Sequence, residues 1–171
     1  MVTPQTDQPK HYSTFIPEAT KRETINPHLK RESIMAKFEL FIHRKADRML
    51  EEKGLYQEIK ETLKQVKTIN HTEIQEAFAQ KGWIKEHQIC PLARWTWDAC
   101  KDKTALSIEL SLIDAVHRDF LRASLAKKHA DLDVLVYITQ TYKEPKFHNI
   151  KRDIEILNDI LSYPILLIGL T

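Results

Sequence analysis

Glycine is scarce in this chain, with three in 171 residues. That is too few for a glycine-rich loop folded over nucleotide phosphates, which excludes one large class of phosphate-handling enzymes. Cysteine is almost as rare: Cys90 and Cys100 are the only two, which excludes a disulfide framework. With His87 they make at most two thiols and an imidazole, without the paired C-x-x-C spacing of structural zinc sites. No apolar run reaches the roughly 18 residues needed to span a bilayer. The opening Met-Val-Thr-Pro-Gln has no apolar core of a secretory signal, so the expected compartment is the cytoplasm, with reduced thiols. Charge of one sign is not in excess either. Twenty-six basic against 24 acidic side chains leave a net +2, so nucleic-acid binding would need a local basic face rather than a whole-chain field.

What is present suits a soluble globular domain: 42% hydrophobic and 29% charged residues, enough chain to bury a core of its own. Residues 1–27 hold four of the seven prolines, Pro4, Pro9, Pro17 and Pro27, without periodicity. They read as a flexible tail or arm, and residues 28–171 as one domain. In that domain Ile34, Phe38, Phe41, Ile42 and Met49 recur at helical spacing, with Gly54 as a stop. Leu55, Ile59, Leu63 and Val66 predict a second helix, and Ile74, Ala77 and Phe78 a third, from His71 to Lys81 and ended by Gly82.

After Trp83 the period changes. Leu106, Ile108, Leu110 and Leu112 alternate with Ser107, Glu109 and Ser111, which predicts a half-buried strand with Glu109 opposite the leucines. A helix is expected from Ile113 to Ala130, a buried strand over Asp133–Thr139, a helix from Asn149 to Leu161, and a closing strand over Pro164–Gly169. The fold class is therefore α/β: a mixed central sheet flanked by helices, with an N-terminal helical layer.

Two carboxylates stand out. Asp98 precedes the turn-like Lys101-Asp102-Lys103, and Glu109 lies mid-strand. A hairpin between them would bring both to one edge, where two carboxylates and a backbone carbonyl suit a hard, octahedral cation such as Mg²⁺. By pattern alone the first reading is the plainer one, that Asp98 caps a turn and Glu109 merely faces solvent.

Asp98-Ala-Cys-Lys-Asp102 followed by Ser107-Ile-Glu109-Leu-Ser111 resembles the active-site segment of BglII- and BstYI-type restriction endonucleases, within the PD-(D/E)xK nuclease superfamily. The helix ending Ile74-Gln-Glu-Ala-Phe-Ala-Gln-Lys-Gly-Trp83, the Asp131–Ile138 strand and the terminal Tyr163–Leu170 strand are similar to the family's elements in the same order. The resemblance implies a restriction-endonuclease-like core and Mg²⁺-dependent hydrolysis of double-stranded DNA. Water would attack the phosphorus in line, leaving a 5′-phosphate and a 3′-hydroxyl. It implies Asp98 and Glu109 as metal ligands with the Leu110 carbonyl, and Glu76 reaching the ion through water. Ser111 falls where the superfamily has lysine and BglII-type enzymes have glutamine, so it would orient a water by its hydroxyl at most. The other outcome is a DNA-binding protein that kept the fold and lost turnover; an interaction module with incidental carboxylates is the third. Family members also carry a longer segment before the catalytic aspartate than the fifteen positions from Trp83 to Asp98. A homodimer is the implied assembly, with the helices between Ser33 and Val66 as candidate contact.

For gripping DNA, Arg118, Arg122 and His129 fall within roughly 40° of one another on the predicted helix. They lie apart from Ile113, Val116, Phe120 and Ala123, as a phosphate-binding stripe would, or as an ordinary solvated face does. His11, Lys21, Arg22, Lys30 and Arg31 make a basic arm or a plain tail. Trp95 and Trp97 are candidates for base stacking or for the core. His117-Arg118-Asp119 matches the first three letters of the kinase catalytic loop, but Ser124 stands where that loop needs asparagine.

Overall fold

The computed structural model describes residues 37–90, 93–129 and 131–171. The expected tail, residues 1–27, and the basic arm at its end lie outside them. Among the described residues the order is β1 (Phe38–His43), α1 (Ala46–Glu52), α2 (Leu55–Gln65), α3 (His71–Ala79), β2 (Ile84–Cys90), β3 (Ala93–Lys101), β4 (Thr104–Ile108), α4 (Ile113–Lys128), β5 (Val134–Gln140), α5 (Phe147–Ile156) and β6 (Ile165–Leu170). The strands form one sheet in the order β1-β6-β5-β4-β3-β2. The spine β4-β5-β6 is parallel, while β1, β3 and β2 join antiparallel. The expected mixed sheet is present.

The spine strands are buried at every position, because helices cover both faces, as parallel strands require. On one face Leu106, Ile108, Val136, Ile138, Leu166 and Ile168 meet Leu50, Ile59, Leu63, Ile74 and Phe78 of α1, α2 and α3. On the other, Ala105, Leu135, Tyr137, Ile165 and Leu167 meet Val116, Phe120 and Ala123 of α4 and Ile150 and Ile154 of α5. Two cores thus share one sheet, and α1–α3 are the N-terminal helical layer.

Four expectations change. The helix predicted through Phe38, Phe41 and Ile42 is instead β1 followed by α1. Phe38 and Leu40 pack toward the α1–α3 core and Phe41 toward the α5 core, and pairing with β6 outweighs a helical spacing that a six-residue run satisfies by coincidence. Left-handed Arg44 (φ 52°) and Lys45 (φ 59°) then turn the chain into α1. Second, β2 and the first half of β3 fill the stretch between Trp83 and Asp98, where no strand was expected: Ile84 and Trp95 are exposed at the sheet edge, which erased the alternation. Third, the predicted half-buried strand ends at Ile108, and its polar face is covered: Ser107 is 6% exposed beneath α4. Leu112, expected on the apolar face, is 60% exposed and opens α4. The α5 helix also ends earlier than expected, leaving Ile160 exposed. No helix among the described residues is long and apolar enough to cross a membrane.

Candidate nuclease site

The β3–β4 hairpin closes on Asp102 (φ 48°) and Lys103 (φ 57°), two consecutive left-handed residues, as a two-residue turn matched to strand twist requires. Ala99 pairs with Leu106 and Cys100 with Ala105, so Asp98 comes level with Ser107 where the two strands part. The Asp98 Oδ2 atom accepts the Ile108 backbone N–H at 2.6 Å, in the place where ladder pairing stops.

The other carboxylate oxygen of Asp98 meets His71 Nε2 at 3.0 Å. His71 is the first residue of α3, whose start is fixed by reciprocal capping. Asn70 Oδ1 accepts the Glu73 N–H at 2.8 Å, and Glu73 takes the N–H groups of Lys67 and Thr68. Gln75, one turn along α3, donates to the Asp98 carbonyl at 2.8 Å. The hydrogen bond to Asp98 raises the His71 pKa above its ordinary value, helped by the charges of Asp98 and Glu109 and opposed by partial burial.

Glu109 stands one residue past β4, and its N–H still pairs with Ile138 O at 2.9 Å. Its Oε1 accepts the N–H groups of Ser111 (2.9 Å) and Leu112 (2.8 Å) and the Ser111 hydroxyl (3.3 Å). The carboxylate therefore sits at the N-terminal end of α4, where the helix dipole favours negative charge. Its Oε2 has no hydrogen bond among the described residues. The Leu110 carbonyl accepts from Gln140 Nε2 at 2.9 Å, which leaves one of its two lone pairs.

Asp98, Glu109, Leu110 and Ser111 line one cavity of about 390 Å³, together with His71, Ser107, Arg118, Asp119 and Arg122. Of the residues expected at the site, two lie elsewhere. Glu76 is not part of the cavity lining and pairs with Lys85 at 2.5 Å, both largely exposed. His129 caps the far end of α4 and is exposed. Trp97 is buried and unable to stack on a base, whereas Trp95 is 43% exposed with the Arg122 guanidinium 5.3 Å from its ring centre.

Sequence reasoning missed His71, Ser107, Asp119 and Gln140 as site residues. Asp119 is 7% exposed on α4. Its Oδ2 accepts from Ser107 Oγ at 3.1 Å and Tyr137 OH at 3.4 Å, and its Oδ1 from Arg122 Nη1 at 3.0 Å. Burial raises its pKa, with the Ser107 hydrogen bond and the nearby arginines pulling the other way. A signal for it existed: Asp119 sits between the apolar Val116–Phe120–Ala123 stripe and the basic Arg118–Arg122 face, and so had to be half enclosed.

A mixed six-stranded sheet with a carboxylate-lined cavity where the central hairpin parts is the architecture of restriction-endonuclease-like nucleases. The restriction endonuclease BglII/BglIII family matches residues 38–170, and the chain belongs to that family, whose members are nucleases acting on DNA. Among solved structures, restriction endonuclease BglII complexed with a DNA 16-mer is similar with a TM-score of 0.68 at 18% identity. The match covers 79% of this chain and 78% of that one, and shows the shared fold. Curated protein sequences include no significant match.

Proposed function

We propose that this protein is a divalent-cation-dependent restriction endonuclease that cleaves double-stranded DNA at the Asp98–Glu109 cavity, with Mg²⁺ as the working ion. The observation that carries the reading is the convergence of Asp98, Glu109 and Leu110 on one cavity at the parting of β3 and β4. Among the described residues no three His, Cys, Asp or Glu side chains cluster as a complete metal cage. An all-oxygen set of two carboxylates and a carbonyl fits a hard cation that keeps part of its water shell, as Mg²⁺ does, and suits zinc poorly. When bound, the ion would polarise the phosphate and acidify water.

The chain's own residues supply the rest. Asp98 and Glu109 would hold the ion. Gln140 fixes the Leu110 carbonyl, and Arg118, exposed at the cavity rim, would contact a flanking phosphate. Water adds to phosphorus as the bond to the 3′ oxygen breaks, and the proton lost by water ends on that oxygen. The products are a 5′-phosphate and a 3′-hydroxyl. The Ser111 hydroxyl already points to Glu109 Oε1, which suits it to orient water and not to supply charge. A two-fold symmetric duplex site calls for a homodimer.

The test is incubation of the pure protein with mixed-sequence duplex DNA in Mg²⁺, then in EDTA, beside Asp98→Ala and Glu109→Ala. Discrete Mg²⁺-dependent fragments, absent with both variants, are expected. Retardation of DNA without cutting would replace the nuclease reading by that of a DNA-binding protein with the nuclease fold.

A further inference from the structure

The cavity is lined by three carboxylates, Asp98, Glu109 and Asp119, but by no lysine, and Ser111 brings no charge to it. The permanently charged cations in its lining are Arg118 and Arg122, and they are held very differently. Arg118 is exposed and makes no hydrogen bond among the described residues. Arg122 is 20% exposed and is fixed on two sides: Asp119 Oδ1 takes its Nη1 at 3.0 Å, and the Trp95 ring lies under the guanidinium at 5.3 Å. Asp119 is itself fixed by Ser107 and Tyr137, and Ser107 is the residue level with Asp98 across the hairpin. A chain of hydrogen bonds thus ties the Arg122 position to the strand pair that carries the carboxylates.

This anchoring uses one end of the fork. Among the described residues the Arg122 Nε–H is buried without a hydrogen-bond partner, whereas Nη2 makes no hydrogen bond and is not enclosed. Nη2 is therefore the donor of the guanidinium that an incoming phosphate oxygen can reach.

We propose that Nη2 of Arg122, a residue lining the cavity beside Asp98 and Glu109, donates to a non-bridging oxygen of the scissile phosphodiester, and that its guanidinium supplies the cation that this strand lacks. The inference rests on the nuclease reading above. Arg122 neither gives nor takes a proton. It stabilises the negative charge that builds on the phosphoryl oxygens as the new oxygen–phosphorus bond forms and the bond to the 3′ oxygen breaks. Asp119 is a positioning residue: it holds Nη1 and so fixes where Nη2 lies.

The experiment compares wild type, Arg122→Ala, Arg122→Lys and Asp119→Asn on a linear fragment carrying a site that the wild type cuts. Binding is measured in Ca²⁺, and cleavage in Mg²⁺ as a single-turnover rate at saturating enzyme. Arg122→Ala is expected to slow cleavage roughly 10²–10³-fold, the scale for losing a donor aimed at developing charge, with a much smaller change in Kd. Added guanidinium ion restores part of that rate, and sodium at equal ionic strength does not. Arg122→Lys keeps a charge against Asp119, so it folds even where the alanine variant leaves Asp119 stranded, and it stays slow because one ammonium cannot both hold Asp119 and take the place of Nη2. Asp119→Asn lowers the saturated rate less than Arg122→Ala does, again without a matching loss of affinity. A wild-type saturated rate in Arg122→Ala or Arg122→Lys, or a loss confined to Kd, overturns this inference and leaves the nuclease reading standing. A wild type that cuts no duplex in any divalent cation overturns both.

Discussion

His71 and Asp98 are 27 positions apart, and no periodicity relates the start of a helix to the end of a hairpin strand. Their contact exists because capping by Asn70 and Glu73 fixes the first turn of α3 against the point where β3 leaves β4. Asp98, Glu109 and Ser111 were legible because residue type and spacing along two adjoining strands carry them. Residues brought in from other elements, such as His71, Asp119 and Gln140, were legible only as members of helices and strands. The His71 contact has a measurable consequence. Its ring should titrate above the ordinary histidine value of about 6.5, followed by NMR, and fall back in Asp98→Asn. Because the folded value is the raised one, the pair stabilises the protein fully below the unfolded value and loses that contribution as pH rises through the folded one. The stability gap between wild type and His71→Asn should therefore be widest in mild acid and close toward alkaline pH, as followed by denaturant melts. A gap that widens with pH would contradict the contact.

At the scale of elements, α2, α3, α4, β5 and β6 were legible and β1 and β2 were not. The difference is burial. The stripe Leu55–Ile59–Leu63 and the run Val134–Gln140 are buried almost throughout, so hydrophobicity reports their geometry directly. The edge strands β1 and β2 keep exposed apolar side chains such as Ile42 and Ile84, and pairing to a neighbour, which one segment's pattern does not record, decides their conformation. The packing of α5 on β6 makes an element-scale prediction. A Cβ on Gly169 would lie 2.7–2.8 Å from the Phe147 ring and its Cβ, closer than van der Waals contact allows. Gly169→Ala should cost about 1–3 kcal/mol through overpacking. Combining it with Phe147→Ala should give a loss smaller than the sum of the two single losses, measured by a double-mutant cycle in urea. Additive losses would mean that the helix does not press on the strand there.

For the whole molecule, the central fact is that one sheet serves two cores. Leu106 and Ala105 are consecutive residues of β4 that face opposite clusters, so neither core can open without disturbing strands that the other needs. Leu63→Ala and Phe120→Ala, from opposite faces, should each cost about 2–5 kcal/mol. Each should lower a single common thermal transition, by about 2–4 °C per kcal/mol in a chain of this size. Calorimetry that resolves two transitions, one moved by each substitution, would separate the cores. Overall topology was legible as a mixed sheet but not as an order of strands, because the place of β1 beside β6 comes from pairing between the two ends of the described chain.

That pairing has a consequence for where the polypeptide meets its substrate. The strands β4, β5 and β6 run parallel, so Ile108, Gln140 and Leu170 end on the same rim of the sheet, the rim that carries the Asp98–Glu109 cavity. Because β1 runs against β6, Lys37 arrives on that rim too, and its carbonyl accepts the Thr171 N–H at 3.0 Å. Entrance and exit of the domain, Lys37 and Thr171, are thus neighbours, three and two strand spacings, or about 14 and 10 Å, along the sheet from β4. A bulky protein fused directly behind Thr171 should crowd the approaching duplex and weaken its binding. The same fusion on a long flexible linker should restore affinity, so the domain's own doorway is the part of its surface least tolerant of cargo.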